Sequence, residues 1–185
     1  MRRFRAGLVA LVLLLSGGFV AFADQNDPNL DTLFARLRVT KSAAEAETIQ
    51  GLIWQLWMQS DDDDIGRLMR QGVNHMSQGR LDQALIVFET MVARAPNFAE
   101  GWNKKATVEF MIGDYRASMA DVDRTLKLEP RHFGALAGLG MIQTELGNLK
   151  AALRAYERAI EVNPHLDGPR ARLRELRRKV EGDPT

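Results

Sequence analysis

The stretch ELGNLKAALRAYERAIEVNP, residues 145–164, has the pattern of a helix that lies close against a second helix. Ala152 and Ala159 are small enough for a neighbouring backbone to approach, and Tyr156 adds bulk between them at helical spacing. Pro164 ends the run because proline cannot continue a helix. We expect the partner to be the helix that directly precedes this stretch in the chain.

The same pattern occurs three times at a spacing of 34 residues. Each occurrence combines a glycine, a small residue, a bulky residue and a proline in the same order. The recurring positions are Gly79, Gly113 and Gly147; Ala84, Ser118 and Ala152; Phe88, Val122 and Tyr156; and Pro96, Pro130 and Pro164. Glycine allows the left-handed turn that separates two helices, and proline ends the second helix. We therefore predict three helix-turn-helix units over residues 65–98, 99–132 and 133–166, which stack because no unit buries its apolar side alone.

The repeated pattern resembles the tetratricopeptide repeat. The residues that carry the resemblance most clearly are Trp102, Leu139, Gly140, Ala152, Tyr156, Ala159 and Pro164. The second unit is the loosest match, and its consensus sites hold Ala106, Glu109, Val122 and Thr125. The resemblance implies an all-α superhelix of three repeats, with capping helices at both ends. The whole chain also resembles the small exported tetratricopeptide proteins of alphaproteobacteria.

In this family a concave groove is lined mainly by the first helix of each repeat. The resemblance implies that the groove residues here are Met69, Val73, Met76, Asn103, Thr107, Phe110, Ala137, Met141 and Thr144. One subgroup clamps a partner's C-terminal carboxylate with Lys, Asn and Arg, but the clamp positions here hold Met69, Val73, Gly134 and Gly138. The groove is therefore predicted to be apolar and methionine-rich, which suits an amphipathic helix or peptide. The alternative is that the methionines only fill gaps in the core.

The first 23 residues have the pattern of a secretory signal peptide. Three arginines precede the apolar segment Ala6–Leu15, and Ala21-Phe22-Ala23 forms a small-x-small cleavage motif. We expect cleavage after Ala23 and a periplasmic mature protein that does not span the membrane; the alternative is an uncleaved anchor. Removal of the three arginines, with no acidic residue, changes the formal net charge from +1 to −2. This near-neutral balance gives no overall attraction to nucleic acid.

Residues 24–29 are predicted to form a linker and residues 30–64 an N-terminal capping segment. Ser42 and Glu45 have the spacing of a capping box, and Trp54 and Trp57 widen the apolar stripe of the helix that follows. We expect this helix to cap the first repeat; the alternatives are that it fills the groove or forms a dimerisation surface. The acidic run Asp61–Asp64 favours a helix start, capped by its last aspartate, over a calcium loop.

Residues 167–185 are predicted to form a basic C-terminal capping helix and tail. The candidate basic patch consists of Arg170, Arg174, Arg177 and Arg178. Such a patch suits an acidic protein or an anionic membrane surface. No aromatic residues lie between the arginines for base stacking, so we do not expect nucleic acid.

The sequence contains no pattern typical of a catalytic or cofactor site. The three histidines have no neighbours at metal-ligand spacing, no serine lies in a nucleophile motif, and no phosphate-binding loop occurs. The chain has no cysteine, which excludes disulfides and thiol chemistry. We therefore expect no cofactor and a non-catalytic adaptor or scaffold of the bacterial cell envelope that binds a protein or peptide. The alternative is a homo-oligomerising structural subunit assembled through the helix that carries Trp54 and Trp57.

Overall fold

The computed structural model describes residues 24–181. The predicted signal peptide, residues 1–23, lies outside the described residues. The described part contains a short 3₁₀ helix, Asp24–Asn26, and the helices α1 (Asn29–Val39), α2 (Ala43–Met58), α3 (Asp63–Ser77), α4 (Leu81–Arg94), α5 (Ala99–Ile112), α6 (Tyr115–Leu128), α7 (Phe133–Glu145), α8 (Leu149–Val162) and α9 (Asp167–Glu181). The all-α superhelix expected from the sequence is confirmed.

Helices α3 to α8 form three consecutive pairs, and α9 packs on the last of them. The pairs α3/α4, α5/α6 and α7/α8 correspond to the three predicted units, except that α3 begins two residues before the first unit. Gly79, Gly113 and Gly147 separate the helices of each pair, with φ angles of +69°, +88° and +74°. These values lie in the left-handed region that glycine adopts without steric cost, so the predicted role of the repeated glycine is confirmed.

The small residues inside the pairs bring two helix backbones close together. A Cβ atom built on Gly140 would lie 2.5 Å from the Tyr156 ring, and one built on Gly72 would lie 2.5 Å from the Phe88 ring. Ala152 and the other small residues that face α7 are fully buried. The opening stretch therefore packs on α7, the helix that precedes it.

The N-terminal hairpin, which we define as α1 and α2, packs on the array at an unexpected place. Its buried residues form a cluster with Phe133 at the start of α7, with Val162 at the end of α8 and with Leu166 before α9. The hairpin therefore lies across the turns that follow α6 and α8, and its core cluster includes no residue of the first pair. The expected cap on the first repeat is wrong because the apolar stripe of α2 matches this more distant surface.

Polar contacts attach the hairpin and the segment before it to the turns that follow α4, α6 and α8. Arg131 Nη1 donates to Asp31 at 2.6 Å, and Asn163 Nδ2 donates to Gln50 at 3.0 Å. The segment predicted to be a linker contains the buried Gln25, whose amide donates to the Asn97 carbonyl at 2.6 Å. Its amide oxygen also accepts from the first backbone N–H of α5 at 3.2 Å. Gln25 thus anchors the segment predicted to be a linker to the start of α5.

Two predicted helix starts differ in detail from the structure. Ser42 caps α2 by accepting from the Glu45 backbone, but the Glu45 carboxylate accepts from Arg36 and Thr40 instead of reaching back. The helix α3 begins two residues earlier than expected because Asp62 is its N-cap. The Asp62 carboxylate accepts from two backbone N–H groups at 2.8 and 3.3 Å, which is the usual role of aspartate at this position.

Candidate functional site: an apolar groove on the second and third helix pairs

Two adjoining pockets form a groove along α5, α7 and α9. The first pocket, of about 190 Å³, lies between α5 and α7, and α6 contributes Ser118 and Val122 to its lining. The second, of about 280 Å³, lies between α7 and α9 and includes Tyr156 and Arg172. Met141 and Ala137 line both pockets, so they form the ridge that divides the groove.

The structure brings six of the nine predicted groove residues together. They are Asn103, Thr107, Phe110, Ala137, Met141 and Thr144. The other three, Met69, Val73 and Met76, pack against the core of the first pair, and Met69 is only 2% exposed. The methionines of the first pair therefore fill the core, whereas Met141 is 45% exposed in the groove.

Three polar side chains of the groove form hydrogen bonds within the chain. Asn103 Nδ2 donates to Glu100 at 2.9 Å, and Thr107 Oγ1 donates to the Asn103 carbonyl at 2.8 Å. Thr144 Oγ1 likewise donates to the carbonyl of the residue one turn earlier, at 2.7 Å. Because these groups are already paired, the surface that the groove offers is mainly apolar.

Trp54 of the N-terminal hairpin packs beside Gly134, a residue that lines the first pocket. Gly134 has no side chain at its groove position, and a Cβ atom there would lie 2.6 Å from the Trp54 ring. The ammonium of Lys104 lies 5.4 Å from the Trp54 ring centroid, within cation–π range. A side chain from outside the array thus occupies the space beside Gly134. The sequence gives one signal for this contact, which is a glycine at a groove position.

A buried polar group lies beneath the contact between hairpin and array. His132 Nδ1 accepts from the Ala135 backbone at 3.0 Å, so Nε2 carries the proton that is donated to Glu100 at 2.8 Å. Burial raises the pKa of Glu100, but the hydrogen bond from His132 and the charge of Lys104 outweigh it and hold the pKa below its ordinary value. Lys104 Nζ lies 2.9 Å from the second Glu100 oxygen, an ion pair without hydrogen-bond geometry.

Trp57 stacks on the ring of His132 and is buried inside the chain. The two ring centroids are 4.1 Å apart and the planes differ by 11°. Trp57 is only 1% exposed. A dimerisation surface built from Trp54 and Trp57 therefore disagrees with the structure, because both rings pack against the chain's own repeats.

The candidate basic patch is partly neutralised. Arg170 donates to the Pro164 carbonyl, and Arg177 donates to Glu157 at 2.8 Å. Arg174 and Arg178 are exposed and form no ion pair within residues 24–181. Two of the four predicted residues are thus free to meet an anionic partner.

Among the described helices, none is both long and apolar enough to cross a membrane.

Comparison with known proteins agrees with this architecture. The tetratricopeptide repeat family model matches residues 134–166. A TPR repeat-containing protein of Rhizobium etli is 34% identical over 156 residues, which cover 84% of this chain and 76% of that protein. The Hsp70-Hsp90 organizing protein of Triticum aestivum is 26% identical over 108 residues, and the match covers 58% of this chain but only 19% of that protein.

Solved structures with low sequence identity share the fold. The first TPR of Spaghetti (RPAP3), bound to the HSP90 peptide SRMEEVD, is 20% identical with a TM-score of 0.63, covering 65% of this chain and 96% of that chain. The crystal structure of MamA is 18% identical with a TM-score of 0.62, covering 80% of this chain and 85% of that chain. With the 34-residue spacing, the helix pairs and the Rhizobium relative, these findings show that the chain belongs to the tetratricopeptide repeat family.

Proposed function

We propose that the protein is a non-catalytic adaptor or scaffold that binds a protein or peptide partner in the groove along α5, α7 and α9. The observation that carries the proposal is the open apolar groove with internally paired polar groups. A partner that buries apolar side chains there gains roughly 25 cal/mol per Å² of apolar surface. It also leaves few polar groups without hydrogen bonds, so little of that gain is lost.

The similar structures support peptide binding as the class of function. The first TPR of Spaghetti is bound to an HSP90 peptide, and the TPR2B domain of yeast Sti1 forms a complex with pHsp70. In this chain the positions of the carboxylate clamp hold Met69, Val73, Gly134 and Gly138. We therefore propose that the partner is recognised through apolar side chains of a helix or an extended peptide and not through its terminal carboxylate.

Photocrosslinking in the native cell tests the groove directly. A photoreactive residue at Phe110 lies in the groove, whereas one at Ile86, which is 62% exposed on α4, serves as a control. We expect a discrete crosslinked protein from Phe110 and none of the same mass from Ile86. Equal capture at both positions would contradict a groove-specific partner.

A pocket-filling variant makes this test sharper. An added Cβ at Gly138 meets no atom within 4 Å, so the side chain of Gly138→Leu starts in open space at the wall of the first pocket. The matched control is Gly51→Leu on α2, where the space is also open. We expect Gly138→Leu to abolish the Phe110 crosslink and Gly51→Leu to preserve it. Survival of the crosslink in Gly138→Leu would place the partner elsewhere.

We propose the bacterial cell envelope as the setting, on the basis of the pattern in residues 1–23. N-terminal sequencing of the protein from a periplasmic fraction checks this. The expected mature N-terminus is Asp24. A protein that keeps Met1, or that stays in the cytoplasmic fraction, would refute export by a cleaved signal peptide.

A further inference from the structure

Three charged side chains lie between α5 and α6, apart from the group formed by His132, Glu100 and Lys104. Lys105 Nζ is 2.7 Å from Glu109 Oε1 and 2.6 Å from Asp121 Oδ2. The side chain of Lys105 is 16% exposed, that of Glu109 5% and that of Asp121 11%. Glu109 Oε2 is buried and has no hydrogen-bond partner among the described residues.

The charges of this cluster do not balance when both carboxyl groups are ionised. Lys105 supplies one positive charge against two negative charges, and a buried uncompensated charge is costly. Among the described residues, the charged side chains that act most strongly on Glu109 are Lys105 and Asp121. Helix α4 presents Met91 and its apolar neighbours, and α7 presents Ala135, Ile142 and other apolar residues. A proton on Glu109 makes the cluster neutral and provides a donor for the neighbouring carboxylate.

The cluster joins the two helices that form part of the wall of the first pocket. Helix α5 contributes Phe110 to that wall, and α6 contributes Ser118 and Val122. A change in the distance between α5 and α6 therefore changes the shape of the pocket. We propose that the protein binds a proton at Glu109, and that release of this proton loosens the α5/α6 pair that supports the groove. This proton site does not depend on which partner the groove binds.

The electrostatics give the direction of the effect. Burial and the nearby Asp121 carboxylate raise the pKa of Glu109 from 4.5 to about 7, although Lys105 opposes the shift. Because the folded state holds this proton more tightly than the unfolded chain, the stabilisation is present below pH 4.5 and is lost as the pH rises through about 7. Between pH 5.5 and 8.5 this one group increases the unfolding equilibrium constant by roughly 30-fold.

Urea denaturation of the purified protein at pH 5.5 and 8.5 tests the site. We expect the unfolding constant of the wild type to rise with pH, and the Glu109→Gln variant to lose roughly 30-fold of this rise. Asp121→Asn leaves one carboxylate for Lys105, so we expect it to reduce the pH dependence as well. The control Glu89→Gln changes an exposed carboxylate on α4 and keeps the wild-type behaviour. An unchanged pH dependence in Glu109→Gln and Asp121→Asn would overturn the proposal.

Amide hydrogen exchange locates the loosening. After correction for the intrinsic exchange rates, we expect the amides of α5 and α6 to lose protection between pH 6 and 8 in the wild type. The amides of α7 and α8 keep their protection, and Glu109→Gln removes the difference. Equal loss in both pairs, or no loss in α5 and α6, would refute a local effect on the groove.

Discussion

Two glycines on α7 have opposite surroundings, and this difference predicts opposite effects of the same substitution. A Cβ atom on Gly140 would lie 2.5 Å from Tyr156 Cε1 and 2.7 Å from Cδ1 and Cζ, closer than real Cβ atoms come. A Cβ atom on Gly138 meets nothing within 4 Å. Both residues lie in the interior of one helix, so Gly140→Ala and Gly138→Ala form a matched pair.

The expected change in the free energy of unfolding of each variant has two contributions, helix propensity and overpacking. Alanine in place of a helix-interior glycine stabilises by about 0.5–1 kcal/mol, and this gain applies to both variants. Gly140→Ala must also displace Tyr156, which is a rigid ring with 2% exposure, and such overpacking costs about 1–3 kcal/mol. Because the overlap is large and the ring is buried, we expect the overpacking cost to lie at the upper end of this range. We therefore expect the two variants to differ by about 2–3 kcal/mol, with Gly138→Ala above the wild type and Gly140→Ala below it.

Urea denaturation followed by circular dichroism measures the difference, and thermal melts check it. For a chain of this size, we expect melting temperatures that differ by roughly 4–12 °C. A Tyr156→Leu background removes the ring, so Gly140→Ala should cost much less there, and the double-mutant cycle reports the coupling. Equal stability of Gly140→Ala and Gly138→Ala would refute the close helix approach on which the packing of α7 and α8 depends.

Two further predictions concern the contact of the hairpin with the array. Gly134→Ala places a Cβ atom 2.6 Å from the Trp54 ring, so we expect a red-shifted tryptophan emission and stronger acrylamide quenching; an unchanged spectrum would contradict the contact. Trp57→Ala removes a buried ring that stacks on His132, and we expect a loss of about 3–5 kcal/mol in the free energy of unfolding, measured in urea. A loss below about 1 kcal/mol would mean that the hairpin adds little to the stability of the array.

The architecture of the pairs was predictable because its signals are local. A glycine with positive φ and a proline after the second helix act within a few residues of their position, and they recur at a constant spacing. The small residue that faces an aromatic ring, as in Gly140 and Tyr156, is also a short-range pairing within one unit. Each of these features can be recognised within a single repeat, and its recurrence at a constant spacing strengthens the prediction.

The position of the hairpin was not predictable in the same way. The apolar stripe around Trp57 shows that α2 is buried, but the pattern is the same whichever surface covers it. The partner surface includes Phe133, His132 and Leu166, which lie more than 70 residues away in the chain. The buried cluster on α5 had a weak signal, because Glu109 stands at a consensus site of the loosest repeat. A charged residue at a consensus site indicates that the local packing departs from the repeat pattern. The partners of that charge, however, depend on the tertiary fold.

The N-terminal hairpin also affects the rigidity of the groove. In a simple repeat array each unit contacts only its neighbours, so the angle between two units depends on one interface. Here α2 contacts both helices that enclose the first pocket, through Lys104 on α5 and through Phe133 and Gly134 on α7. The ion pair of Asp31 with Arg131 adds a second attachment at the same joint. Opening the pocket by rotation of α7 away from α5 therefore breaks contacts of the hairpin as well as the contact between the pairs. The rigidity of the groove then depends on an element outside the repeats, and we expect substitutions in α2 to alter binding of the proposed partner.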